Sequence, residues 1–235
     1  MMAFVIEGWL SEPSMMPSIY FPPCRRKDMK KGAYLLFIIL LSSSISGCTG
    51  EVEKEEDMSG ADLSYADMSD RDLSYVNLSA ANLNYTMLQG ADLRHADLRH
   101  AWLTGADLTG ADLRQAGLTV AWLNGANLTG AYLNGAYLGG ANLYDANLTG
   151  ADLTGADMHR AHLQYADLSD TILQYAYLFG AYLYDANLNS ADLSGANLTY
   201  ATLTGADLSG TIWYGTICPD GANSDDNGNT CENNL

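Results

Sequence analysis

Residues 101–130 read AWLTG ADLTG ADLRQ AGLTV AWLNG ANLTG, six pentapeptides in which Ala opens each unit and Leu holds its centre. Followed outward, the same beat runs from Glu56 to Gly215, 32 pentapeptides without an insertion. Leu fills the central place in 28 of them, Met in three (Met58, Met68, Met158) and Trp213 in the last. Ala opens 26, and the six departures are Glu56, Arg71, Val76, Thr86, Thr171 and Thr211. A step of five suits neither regular element. At about 100° per residue an α-helix rotates successive leucines by about 140° and scatters them around its axis. A straight strand sends alternate leucines to opposite faces, because five is odd. A chain that bends once per pentapeptide and coils back over itself keeps every Leu inside. Gly or a small polar residue at the fifth place, and Asp or Asn before the Leu, supply the turn chemistry that such bends require. The expected fold class is all-β, a sheet-like solenoid.

Units such as ADLTG, ANLTG, ADLSG and AYLNG resemble the A(D/N)LXX consensus of pentapeptide repeat proteins, over 160 of the 235 residues. The resemblance implies a right-handed quadrilateral β-helix with four pentapeptides per coil and about 8 coils from the 32 units. Leu and Ala then point inward and the other three places face solvent. Coils stacked about 4.8 Å apart, as neighbouring strands are, make a rod about 38 Å long. Each coil touches only its neighbours, so both ends need caps. Ile212, Trp213, Tyr214 and Ile217 are expected to form an apolar lid at the C-terminal end, while Arg71 in an Ala place points to a loosened first coil.

The composition is 48% hydrophobic and 17% charged, which fits a soluble domain with extra segments and excludes a collagen, a polytopic membrane protein or a fully disordered chain. A net charge of -17 counts against a nucleic-acid partner, since phosphates are held by clustered Lys and Arg. It suits a basic partner, a cation or solubility.

From Met29 the chain runs MKKGAYLLFIILLSSSISGC: two lysines, an apolar run from Ala33 to Leu41, then small residues up to Cys48. This is a secretory-signal layout, and the run of about nine residues is too short for a hydrocarbon core that needs about 20. Ile45-Ser46-Gly47-Cys48 resembles the lipobox of prokaryotic lipoproteins. That resemblance implies cleavage after Gly47, a covalent lipid on Cys48, and an exported, membrane-anchored protein of the prokaryotic cell envelope. Residues 1–28 fit neither signal nor repeat and read as an upstream extension or a long n-region, with the signal at 29–47. Residues 48–55 read as an acidic tether to the repeats at 56–215. From Cys48 onward 6 Lys and Arg face 25 Asp and Glu, so the exported part carries -19.

With Cys24 ahead of the cleavage point and Cys48 lipidated, Cys218 and Cys231 remain, in a tail at 216–235. Export permits a disulfide between them, and two Cys alone make no zinc site. Asp220, Asp225 and Asp226 are of the type calcium prefers but lack the EF-hand spacing; the segment reads as a weak calcium site or a solvated turn. No other metal and no cofactor beyond the lipid is expected.

At 20 residues per coil, Trp102 lies next to Trp122 and Tyr182 three coils further along the same side, while Tyr132, Tyr137 and Tyr177 occupy the equivalent outward place on other sides. These six read either as a stabilising ladder or as a docking patch for an envelope protein or a glycan. Opposite the tryptophans Asp72, Asp92 and Asp112 stand in line with Arg94 and Arg114 beside them, and His95, His100, His159 and His162 are scattered. No residue set has the nucleophile, base and pocket of an enzyme. The functional expectation is a lipid-anchored, non-catalytic scaffold or protein-interaction module. The family resemblance implies an alternative, an acidic DNA mimic that binds a topoisomerase such as DNA gyrase. Family members of that kind tend to use more Phe at the centre and an apolar C-terminal element; here the centre holds no Phe and the end is polar.

Overall fold

A count of the backbone donors explains why the repeat has five places. In Ala106–Gly110 of the computed structural model, Ala106 N–H closes a turn on Leu103 O at 3.0 Å and Asp107 N–H reaches back to Thr86 O at 3.0 Å. Leu108 and Gly110 N–H reach forward to Asn127 O at 2.7 Å and Thr129 O at 3.0 Å. The fourth N–H, that of Thr109, has no backbone acceptor, and Asp107 Oδ1 takes it at 3.0 Å. An Asp or Asn before the Leu therefore completes the unit, because even a half-buried donor without a partner is costly. The Thr109 hydroxyl donates to the same oxygen at 2.6 Å, which accounts for the Ser and Thr at fourth places.

The structure describes residues 57–228 and 230–231, all within one unit, Glu53–Leu235. The upstream extension, the signal segment, Cys48 and the whole tether lie outside the described residues. From Asp57↔Asn77 to Asn197↔Ile217 the bridges are parallel, and each joins residues 20 apart. The fold is a β-helix solenoid whose four columns consist of isolated bridges rather than extended strands.

Inside, the central leucines from Leu78 to Leu198 and the Ala residues between them have almost no exposed surface. Where Thr replaces Ala, its hydroxyl finds a carbonyl: Thr86 Oγ1 donates to Leu63 O at 2.9 Å, Thr171 to Leu168 O at 2.6 Å and Thr216 to Leu193 O at 2.8 Å. That satisfaction is why a polar atom is tolerated in the stack.

Every fifth place bends into the left-handed region, with φ near 64° at Gly105 and 56° at Val120. The expectation of Gly or a small polar residue there needs correction, since Tyr65, Tyr75, Tyr85, Tyr165, Tyr175 and Tyr200 all adopt positive φ. A non-glycine residue there costs about 1–2 kcal/mol. Stacking along the rod offsets part of it: the Tyr65 and Tyr85 rings stack at 5.2 Å, and Tyr75 stacks on His95 at 4.7 Å.

The two ends differ. Met58, Ala61, Ala66, Met68 and Arg71 are half-exposed, so the first described coil is less covered than those that follow. At the other end the apolar lid is corrected. Ile212 and Tyr214 are exposed, because the register puts them at outward second and fourth places; only Trp213 is buried. Turn and bridge continue one unit past residue 215, with Cys218 in a buried central place. The chain then reverses, pairing Ile217 antiparallel to Asn223, and enters a 3-10 helix at Ser224–Asn227. Buried Ser224 donates its hydroxyl to Trp213 O and accepts from Thr216 N–H. Cys218 and Cys231 are joined by a disulfide and fully buried. The cap is a polar hairpin with a covalent latch.

Candidate functional site

With the core closed by Leu and Ala, chemistry is confined to the outward second, fourth and fifth places. An open depression of about 390 Å³, lined by Asp57, Tyr75, Asn77, His95 and Asp97, lies near the N-terminal end. The rest of the candidate site is rows of side chains on the four sides.

Carboxylates dominate one side. Asp72 bridges Asp92, which bridges Asp112. Arg94 grips Asp92 through Nε and Nη2, at 2.8 and 2.6 Å, and its Nε reaches Asp112 at 3.6 Å. Arg114 grips Asp112 in the same way. On the next side Arg99 grips Asp97, and His159 Nδ1 lies 2.7 Å from Asp157 Oδ1. The arginines are half-exposed, so these pairs relieve repulsion between stacked acids more than they hold the fold. The Arg94 hydrogen bond holds Asp92 below the ordinary carboxylate range, and that from Arg99 does the same for Asp97. For Asp112 burial pushes the carboxyl up, but hydrogen bonds from Arg114 outweigh it. The three arginines are raised by the same bonds.

A pH dependence follows. Asp62, Asp67, Asp92, Asp97, Asp112 and Asp207 are all depressed relative to the unfolded chain. Their contribution is complete above the ordinary carboxylate value of about 4 and is lost as pH falls through the lower folded values. Melting temperature by circular dichroism should hold between pH 7 and about 4.5 and fall below about 4. A rise on going from pH 4 to 2.5 would contradict this.

The six aromatic residues of the expected patch do not form one surface. Trp102 and Trp122 are bridge partners, and their column continues through Asn142 and His162 to Tyr182, whose ring stacks on His162 at 4.8 Å. Tyr137 and Tyr177 lie in another column, separated by Asp157, and Tyr132 sits in the carboxylate column between Asp112 and Asp152. The sequence reading weighed second places only. It missed the fourth- and fifth-place rings Tyr65, Tyr85, Tyr144, Tyr165 and Tyr184, which lie on the tryptophan side. Tyr144 meets Tyr165 edge-on at 5.2 Å, and Tyr165 meets Tyr184 at 5.8 Å. Their signal was the 20-residue spacing of Tyr65, Tyr85 and Gly105, followed along a turn position.

In the tail, Asp220 Oδ1 accepts from Ala222 N–H at 2.9 Å and Asp225 Oδ1 from Gly215 N–H at 2.8 Å, so both carboxylates shape turns. Asp226 lies beside Asp225 in the 3-10 helix. Among the described residues no group of three or more His, Cys, Asp or Glu could hold a metal ion, and no helix is long and apolar enough to cross a membrane.

A family model described as pentapeptide repeats matches in 8 copies, with segments running from 61–99 to 176–212. No curated protein matches the chain. Among solved structures the chain is similar to HetL, a pentapeptide repeat protein involved in heterocyst differentiation regulation from the cyanobacterium Nostoc sp. strain PCC 7120. Identity is 38% over 72% of this chain and 87% of HetL, with a TM-score of 0.30. It is similar in fold to QnrB1, a plasmid-mediated fluoroquinolone resistance protein, at 19% identity over 69% of this chain and 89% of QnrB1, with a TM-score of 0.56. A pentapeptide repeat protein of the Arabidopsis thaliana thylakoid lumen is 25% identical over 60% of this chain and 70% of its own, with a TM-score of 0.29.

Proposed function

Because this chain belongs to the pentapeptide repeat family, we propose that it is a non-catalytic interaction module, a rod that displays rows of side chains to a partner from a lipid-anchored position in the cell envelope. In this reading the rod is right-handed and four-sided with about 8 coils, as the 32 pentapeptides imply. Cys48 carries the lipid, and the acidic tether keeps the rod near the membrane. The observation that carries the reading is the Cys218–Cys231 disulfide. Such bonds persist in oxidising compartments, which agrees with the signal layout and the lipobox-like Ile45-Ser46-Gly47-Cys48.

The test is intact mass and membrane fractionation of the expressed chain beside a Cys48→Ala control. Cleavage before Cys48, an added lipid mass and pelleting with membranes, all lost in the control, are expected. A full-length chain in the soluble cytoplasmic fraction would overturn the envelope position. It would favour the second reading, an acidic duplex-like rod that binds a topoisomerase. One observation supports that alternative: the side carrying Asp67, Asp107, Asp167 and Asp207 has no basic residue along it. Binding of purified DNA gyrase separates the two.

A further inference from the structure

The four sides differ sharply in charge and in rings. The side built from residues 66–70, 86–90 and onward in steps of 20 to 206–210 carries six carboxylates, no basic residue and no aromatic ring. The tryptophan side, residues 61–65, 81–85 and onward to 201–205, carries eight Tyr and Trp, one His, no Lys or Arg and three carboxylates, Asp62, Asp145 and Asp185. Across its coils at 81–85, 101–105 and 121–125 it has no charge at all, in a chain whose net charge is -17.

The rings of this stretch, with Tyr65 from the coil before it, stand in two lanes along the axis. Trp102 and Trp122, each about half exposed, form one lane at second places. Tyr65 and Tyr85, stacked nearly parallel at 15°, form the other at fifth places. Gly105 continues that second lane and leaves room for it: a Cβ there would come within 2.6 Å of the Tyr85 ring. Between the lanes lie the fourth-place Asn84, Thr104 and Asn124. Asn84 Oδ1 accepts from Thr104 N–H at 2.9 Å, a bond that does not use the amide NH2.

We propose that the tryptophan side binds an extended, uncharged β-linked polysaccharide chain running along the rod axis. The proposal rests on the interaction-module reading but not on the lipid anchor. A sugar ring presents apolar C–H faces that stack on aromatic rings and a rim of hydroxyls that pair with amides and hydroxyls, the two features these lanes alternate. A linear β-linked chain is ribbon-like and matches a flat, periodic surface. Competing occupants fit less well. Single-stranded nucleic acid also stacks on rings, but it needs a cationic groove and this side has no Lys or Arg. A basic protein would choose the neighbouring carboxylate side. A second copy would bury too little: seven steps of about 4.8 Å by about 10 Å of width give on the order of 350 Å², under half of the 800 Å² or so per partner in a stable dimer.

The test titrates the full chain, purified in detergent, with cellohexaose and with chitohexaose, reading tryptophan fluorescence and calorimetry. Saturable binding of at least one sugar is expected, insensitive to added salt. It should weaken about tenfold or more in the Trp102→Ala/Trp122→Ala double variant. Tyr132→Ala, in the carboxylate column, should bind as the parent does. Both variants change exposed side chains, and a melting curve matching the parent shows that the rod is intact. Saturation by neither sugar, or an undiminished double variant, overturns the proposal. The sugar should be recovered uncut; recovery of cut fragments would overturn the non-catalytic reading while leaving the binding face standing.

Discussion

Leu128→Asp should abolish the cooperative melt of the rod. Leu128 has no exposed surface, and Leu108 and Leu148 occupy the same place one coil away on either side. A carboxylate there has only leucine and alanine side chains around it. Burying an unpaired charge costs several kcal/mol or forces its protonation, and a domain's whole stability is about 5–15 kcal/mol. In a linear stack the damage is not absorbed elsewhere, because each coil relies on its two neighbours. Leu128→Ala isolates the packing part: it should cost about 2–5 kcal/mol and preserve a single transition. Circular dichroism melts and urea titrations of both variants read these effects. Two variants as stable as the parent would show that the leucine stack does not hold the rod.

The second large effect belongs to the covalent latch. Cys218 and Cys231 close a loop across a sequence separation of 13, for which chain entropy gives about 3 kcal/mol. In Cys231→Ala that loss should stay local. The amides of Leu198, Tyr200 and Cys218, which donate to Ile217, Pro219 and Ala222, should lose protection from hydrogen exchange. The amide of Leu128, bonded to Asn147 in mid-rod, should exchange as before. Mass-resolved exchange of parent and variant reads the difference, and equal loss at Leu128 would mean that the rod opens as one unit.

The period of five carried the inward and outward sorting, and the core from Leu78 to Leu198 follows it place by place. It carried the turn chemistry as well, since Asp107 meets the one backbone donor the coils leave over. Beyond the Cys218–Cys231 disulfide, the C-terminal cap was not legible, for a physical reason. Residues 219–231 have no period, and the fold of 219–228 depends on a chain reversal that places Ser224 over Trp213 and Thr216. Expecting Ile212 and Tyr214 in a lid weighed apolarity above register, and the register sends both outward. The ring lanes escaped notice because a fifth place in the left-handed region reads as a turn belonging to Gly, whereas Tyr65 and Tyr85 occupy it at φ near 60° and stack.

The 20-residue register also decides which changes of length this molecule can inherit. Loss or duplication of one pentapeptide would leave Leu over Leu and Ala over Ala, so the core would not register the event. Every later outward residue, however, would move a quarter turn around the rod. Trp122 would leave Trp102, and carboxylates would enter the uncharged lanes. Insertions and deletions of a whole coil keep each side in phase with itself. The interior therefore tolerates growth in steps of five and the surface only in steps of 20, so a gene of this kind that keeps its partner while changing its length is expected to do so by whole coils.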